Sequence, residues 1–148
     1  MAEVIGIDHI YLAVTNLEQS EAFYDDLMSI LGFRKKHFEL HGEPHIQYFN
    51  RQFGVVLRPA RTLQAHNPYA PGLHHLCFRV ESEAELVEIG RSLEQQGIEV
   101  DNPVPQHYPE YAPDYVALFV VDPDGVRIEV TNYRQERRQR HDHWDDQT

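Results

Sequence analysis

Hydrophobic and polar positions along the chain follow one pattern twice. Ile7-Asp8-His9-Ile10-Tyr11-Leu12-Ala13-Val14 returns about 66 residues later as Leu73-His74-His75-Leu76-Cys77-Phe78-Arg79-Val80. In each copy an apolar residue, a polar one and a His precede an alternating stretch that ends in Val. Alternation of this kind predicts a half-buried strand. Behind each strand the period changes to that of a helix. Ala22, Phe23, Leu27, Ile30 and Leu31 form the first apolar stripe, and Leu86, Val87, Ile89 and Leu93 the second. Thr15 with Glu18, and Ser82 with Glu85, have the spacing of capping boxes at the two helix starts. Gly32 and Gly97 stand where a left-handed residue ends a helix without a Cβ clash.

Strand-like segments then follow in both halves. In the first they are Arg34 to Leu40, a turn at His41-Gly42-Glu43-Pro44, His45 to Phe49, and Gly54 to Arg58. In the second, Ile98 to Val100 leads through a Pro- and Tyr-rich loop to Tyr115–Val121, the turn Asp122-Pro123-Asp124-Gly125, and Val126–Thr131. Each half therefore reads β-α-β-β-β, an α+β class. The repeats cover about residues 5–58 and 73–133, with a linker at 59–72 in one domain over 1–133, and a polar tail at 134–148 expected as a frayed helix or disorder.

Strand parity places the chemistry. His9 shares a face with Ile7 and Tyr11, and His75 with Cys77 and Arg79, while Glu129 stands on the polar side of a strand whose apolar set is Val126, Ile128 and Val130. If the two halves join their sheets around a concavity, His9, His75 and Glu129 converge there. Two imidazoles and one carboxylate leave coordination positions open, which suits Fe(II), Mn(II) or another divalent ion that binds substrate directly. The opposing reading of each residue alone is a structural histidine or a surface carboxylate; repetition at matched positions weighs against it.

Composition narrows the classes. The 148 residues carry 13 Lys plus Arg against 24 Asp plus Glu, a net charge of -11, which argues against a nucleic-acid partner that would need phosphate-neutralising cations. The one cysteine, Cys77, has no internal disulfide partner, and the N-terminus lacks a basic stretch and long apolar run, so a cytoplasmic location is expected. No apolar run approaches the roughly 20 residues of a membrane span, so no membrane partner is expected.

The motifs Asp8-His9-Ile10 followed by Leu17 to Phe33, His74-His75-Leu76-Cys77-Phe78, and Asp122-Pro123-Asp124-Gly125-Val126-Arg127-Ile128-Glu129 resemble the vicinal oxygen chelate superfamily. That superfamily groups glyoxalase I, bleomycin-resistance proteins, type I extradiol dioxygenases and fosfomycin-resistance enzymes. The resemblance implies two βαβββ modules forming a cup-shaped mixed sheet with helices outside. It also implies a divalent metal (Fe(II), Mn, Ni or Zn) on His9, His75 and Glu129, a small oxygen-chelating substrate, and a homodimer. Glyoxalase I enzymes usually add a ligand from the last strand of the first module, where this chain has Val55-Val56-Leu57-Arg58. A dioxygenase-like or glyoxalase-like reaction is the first expectation. A metal-free drug-binding protein of the bleomycin-resistance kind is an alternative, as is fosfomycin-resistance-like addition of a thiol or water to an epoxide.

Further residues are candidates beside this trio. His107 and Tyr115, in or next to the loop before the penultimate strand, are candidate catalytic proton carriers. His45, Gln47 and Tyr48 on a strand, with Arg58 and Arg79, are candidates to meet substrate, although His41 and His45 also read as plain residues flanking a turn. His74 is expected to face away from the metal, in a structural or supporting place, and Cys77 reads as a small core residue. His141 and His143 in the tail are assigned no role.

Overall fold

In a computed structural model the described residues are 1–102 and 104–147; Pro103 of the proline-rich loop and the last tail residue, Thr148, lie outside them. The chain divides into two compact units, Met1–Asn67 with Asp122–Gly125, and Pro68–Val121 with Val126–Thr148. Each contains one α/β module.

The first unit contains β1 (His9–Val14), α1 (Leu17–Ile30), β2 (Arg34–Leu40), β3 (Glu43–Phe49) and β4 (Gly54–Pro59). Its sheet runs β1-β4-β3-β2, with β1 parallel to β4 and the other pairs antiparallel. Alternation sends Leu12, Val14, Ile46, Tyr48, Val55 and Leu57 to one face, where they are buried together with Tyr24, Leu27 and Met28 of α1. The opposite face carries His9, Tyr11, His45 and Arg58. Asn16, rather than Thr15, caps α1: its side chain accepts from the Gln19 amide at 2.9 Å. Thr15 is occupied elsewhere, its amide donating to Asp124 Oδ2 at 3.1 Å and its hydroxyl to Asp124 Oδ1. The turn between β2 and β3 is also tighter than expected. His41 and Gly42, at φ 52° and 75°, form a two-residue loop, so that Glu43, Pro44 and His45 lie within β3.

The second unit contains β5 (His75–Val80), α2 (Glu83–Gln95), β6 (Gln106–His107), β7 (Val116–Val121) and β8 (Arg127–Asn132), ordered β5-β8-β7-β6. Again the first strand pairs in parallel with the last and the remainder are antiparallel. Ser82 and Glu85 form the reciprocal capping box that their spacing predicts, and Gly97 follows α2 at φ 76°. Leu76, Phe78, Leu118, Val120, Ile128 and Val130 bury one face with Leu86, Ile89 and Leu93 of α2. Residues 98–100 form no strand; the edge pairing falls to Gln106 and His107 instead. The Ile98 amide is spent on closing the end of α2, donating to the Leu93 carbonyl at 2.9 Å, and pairing with β7 decides which segment is strand.

The tail is ordered as α3 (Gln135–Asp142) and a 3₁₀ turn at Trp144–Gln147. Arg134 before it is buried, and Arg138 donates to Glu81 Oε1 at 2.5 Å and to the Glu81 carbonyl at 3.0 Å. Among the described residues, two mixed four-stranded sheets with three helices make this an α+β protein, each sheet assembled by the βαβββ order.

Candidate functional site

The two modules place matched residues at matched register positions. His9 begins β1 opposite Gly54 of β4, and His75 begins β5 opposite Arg127 of β8. Two residues on, Tyr11 pairs with Val56 in the first module and Cys77 with Glu129 in the second. Val56 is therefore the counterpart of Glu129, and its methyl groups supply no ligand.

Within the second unit the expected pair meets. His75 Nε2 lies 3.2 Å from Glu129 Oε2, and the Glu129 residue is only 4% exposed. A buried carboxylate requires a partner because desolvation penalises its charge. The Tyr115 hydroxyl supplies a second one, donating to Glu129 Oε1. Burial, and then the bond to Glu129, pushes the Tyr115 hydroxyl above its ordinary value, so it stays a proton donor at neutral pH. Cys77 joins the same face; the residue is exposed, but local desolvation and the neighbouring Glu129 charge raise its thiol to about 12. It is thus a neutral neighbour of the carboxylate rather than the core residue expected, since the side facing α2 is held by Leu76 and Phe78.

Both histidines are oriented through Nδ1. Asp8 Oδ2 accepts from His9 Nδ1 at 2.6 Å, and His74 Nδ1 lies 2.7 Å from His75 Nδ1. His74, expected to face away, therefore holds the His75 ring in a supporting place. Engaging Nδ1 turns Nε2 outward, the arrangement by which metal-binding imidazoles are aimed. Among the described residues, no three His, Cys, Asp or Glu side chains are grouped tightly enough to form a finished metal centre. The second unit holds the pair His75 and Glu129, and His9 belongs to the first unit.

The remaining candidates separate clearly. Tyr108, Tyr111, Tyr115 and Phe119 pack ring against ring at 5.3 to 6.3 Å, an aromatic cluster on the Glu129 side of the second sheet. Arg127 lies over Phe119 at 4.1 Å and Arg134 over Tyr115 at 4.3 Å. Sequence reasoning missed Arg134, whose place in a polar tail concealed its burial. His107 is exposed, its Nε2 3.4 Å from Glu83 Oε1 at the start of α2, and it pairs with Val116 on the helix side of the sheet. The structure does not bring it to Glu129. Arg79 stacks over Tyr133 at 4.1 Å, and Arg58 pairs with Glu43. Tyr48 faces α1, its hydroxyl donating to Asp25 Oδ1 at 2.8 Å, and so leaves the candidate face. His45 is not a loop residue: it is buried within β3.

Residues 6–130 match the family model described as the Glyoxalase/Bleomycin resistance protein/Dioxygenase superfamily. A curated relative, biphenyl-2,3-diol 1,2-dioxygenase 2 of Rhodococcus globerulus, is 31% identical over 99 residues, which are 65% of this chain and 49% of the relative. The match thus spans about half the length of that dioxygenase. Among solved structures, a glyoxylase/bleomycin resistance protein/dioxygenase domain from Frankia sp. EAN1pec aligns with a TM-score of 0.72 at 21% identity, covering 89% of this chain and 100% of that one. A fosfomycin resistance protein from Listeria monocytogenes aligns at 0.65 and 18% identity, covering 92% and 99%. At such identities these two show the shared fold.

Proposed function

The chain belongs to the glyoxalase/bleomycin resistance protein/dioxygenase superfamily, and from that premise we propose that it is a divalent-metal enzyme of the dioxygenase type. Its substrate is a small molecule bearing two neighbouring oxygens, an aromatic diol being the first candidate. His9, His75 and Glu129 are the proposed ligands. The observation that carries the reading is the approach of His75 Nε2 to the buried Glu129 carboxylate at 3.2 Å. The matched place of His9 in the first module and the Nδ1 anchors on both rings support it. Two imidazoles and a carboxylate are a donor set that suits Fe(II), Mn, Ni or Zn. A bound ion there supplies a Lewis acid for the chelating oxygens.

The chain's own residues do the rest. Tyr115 orients Glu129 by its hydrogen bond and keeps its own proton. The exposed Tyr111 ring and the Tyr108 ring stacked on it at 5.7 Å are the proposed contacts for an aromatic substrate. The similarity to a biphenyl-diol dioxygenase favours oxygen chemistry over the lyase and epoxide-opening alternatives. A homodimer and a cytoplasmic location complete the proposal. Among the described residues, no helix is long and apolar enough to cross a membrane.

The test is metal analysis of the purified chain and of His9→Ala and Glu129→Ala, followed by oxygen uptake with biphenyl-2,3-diol. Near-stoichiometric metal, lost in both variants, and diol-dependent uptake are expected. Metal-free protein that binds a cationic drug tightly would overturn the enzyme reading in favour of sequestration.

A further inference from the structure

His45 is 1% exposed, yet its Nε2 has no hydrogen-bond partner among the described residues. Its other nitrogen is 2.9 Å from the backbone carbonyl of Glu43. A carbonyl oxygen only accepts, so Nδ1 carries the proton, and in the neutral ring Nε2 is a bare lone pair. A buried acceptor of this kind is costly to leave unsatisfied, so a group with a proton to donate belongs against it. The surroundings say which kind. The Phe38 ring stacks on His45 at 4.9 Å, and Tyr11 meets it edge-on at 5.9 Å. His9 in turn meets Tyr11 edge-on at 5.4 Å, so His45 lies on the His9 side of the first sheet. An anion would be repelled by the lone pair, and the nearby Arg58 already has its counter-ion in Glu43.

We propose that His45 is a substrate-specificity residue whose unprotonated Nε2 accepts a hydrogen bond from a hydroxyl on an aromatic ring. This deepens the function proposed above and rests on it only for the identity of the ligand. It selects diols and phenols over their ethers, because an ether oxygen facing the same lone pair has no proton to give.

The experiment follows the imidazole nitrogens of the full chain labelled with ¹⁵N-histidine, metal-free and metal-loaded, with catechol and 1,2-dimethoxybenzene as probes. In the free chain His45 is expected as the Nδ1–H tautomer. Catechol moves its Nε2 resonance and dimethoxybenzene leaves it in place. His45→Asn keeps a donor for the Glu43 carbonyl but lacks Nε2, and should bind catechol about tenfold more weakly by calorimetry. His45→Gln is the second variant should the first unfold. A protonated Nε2 in the free chain, an Nε2 indifferent to catechol, or unchanged affinity in the variants overturns the proposal. Metal content, measured on the samples exposed to metal, separates the two ideas: a chain that takes up no divalent metal, yet whose Nε2 still answers catechol, refutes the metal enzyme and keeps His45.

Discussion

The Tyr115 hydroxyl donates to the buried carboxylate of Glu129, whose other oxygen lies 3.2 Å from His75 Nε2. One carboxylate thus serves a tyrosine that orients it and a histidine proposed to share an ion with it. Tyr115→Phe should weaken divalent-metal binding by about 10- to 100-fold, as loss of a supporting partner does. Thermal unfolding and metal titration measured together distinguish this from general destabilisation.

Cys77 should be a poor nucleophile. With its thiol raised to about 12 by local desolvation and by the Glu129 charge, the thiolate fraction near pH 8 falls far below that of a free cysteine. Although Cys77 is exposed, its alkylation by iodoacetamide should be slower than that of a free thiol. Glu129→Gln, which removes the charge, should speed it.

Tyr24 and Asp122 are both buried, and the Tyr24 hydroxyl donates to Asp122 Oδ2 at 2.8 Å across 98 positions of sequence. Tyr24→Phe leaves the carboxylate short of a donor and should cost about 1–3 kcal/mol in urea unfolding.

The helix starts offer a paired test. Asn16→Ala and Ser82→Ala each remove a cap, and each should cost about 1 kcal/mol of stability. Thr15→Ala should destabilise through Asp124 instead, and combining it with Asp124→Ala should cost little more than either change alone.

Glu21 supplies a pH dependence. Its bond to Lys35 holds its carboxyl below the ordinary range, against the opposing effect of burial and with help from His37. A lowered folded value means the pair stabilises the fold above the unfolded carboxylate range and loses that contribution as pH falls through the folded value. The melting temperature of Glu21→Gln should therefore lie below that of the unchanged chain at neutral pH, and the gap should close in acid.

What the sequence determined by itself is the part governed by near neighbours. Periods of two and 3.6 mark β1, α1, β5 and α2, the Ser82 box and Gly97 bracket the second helix, and parity alone puts Glu129 on the face of β8 away from its apolar set. Tertiary structure decided whatever depended on a distant partner. Asp124, 109 positions away, takes Thr15 and leaves the cap to Asn16. Pairing with β7 makes Gln106–His107 the edge strand in place of 98–100 and turns His107 toward α2. A two-residue turn draws Glu43 and Pro44 into β3 ahead of His45, where the sequence had placed them in the turn. Local pattern records how each side chain suits its own element, whereas hydrogen-bond partners far along the chain are chosen by packing, which no window of sequence contains.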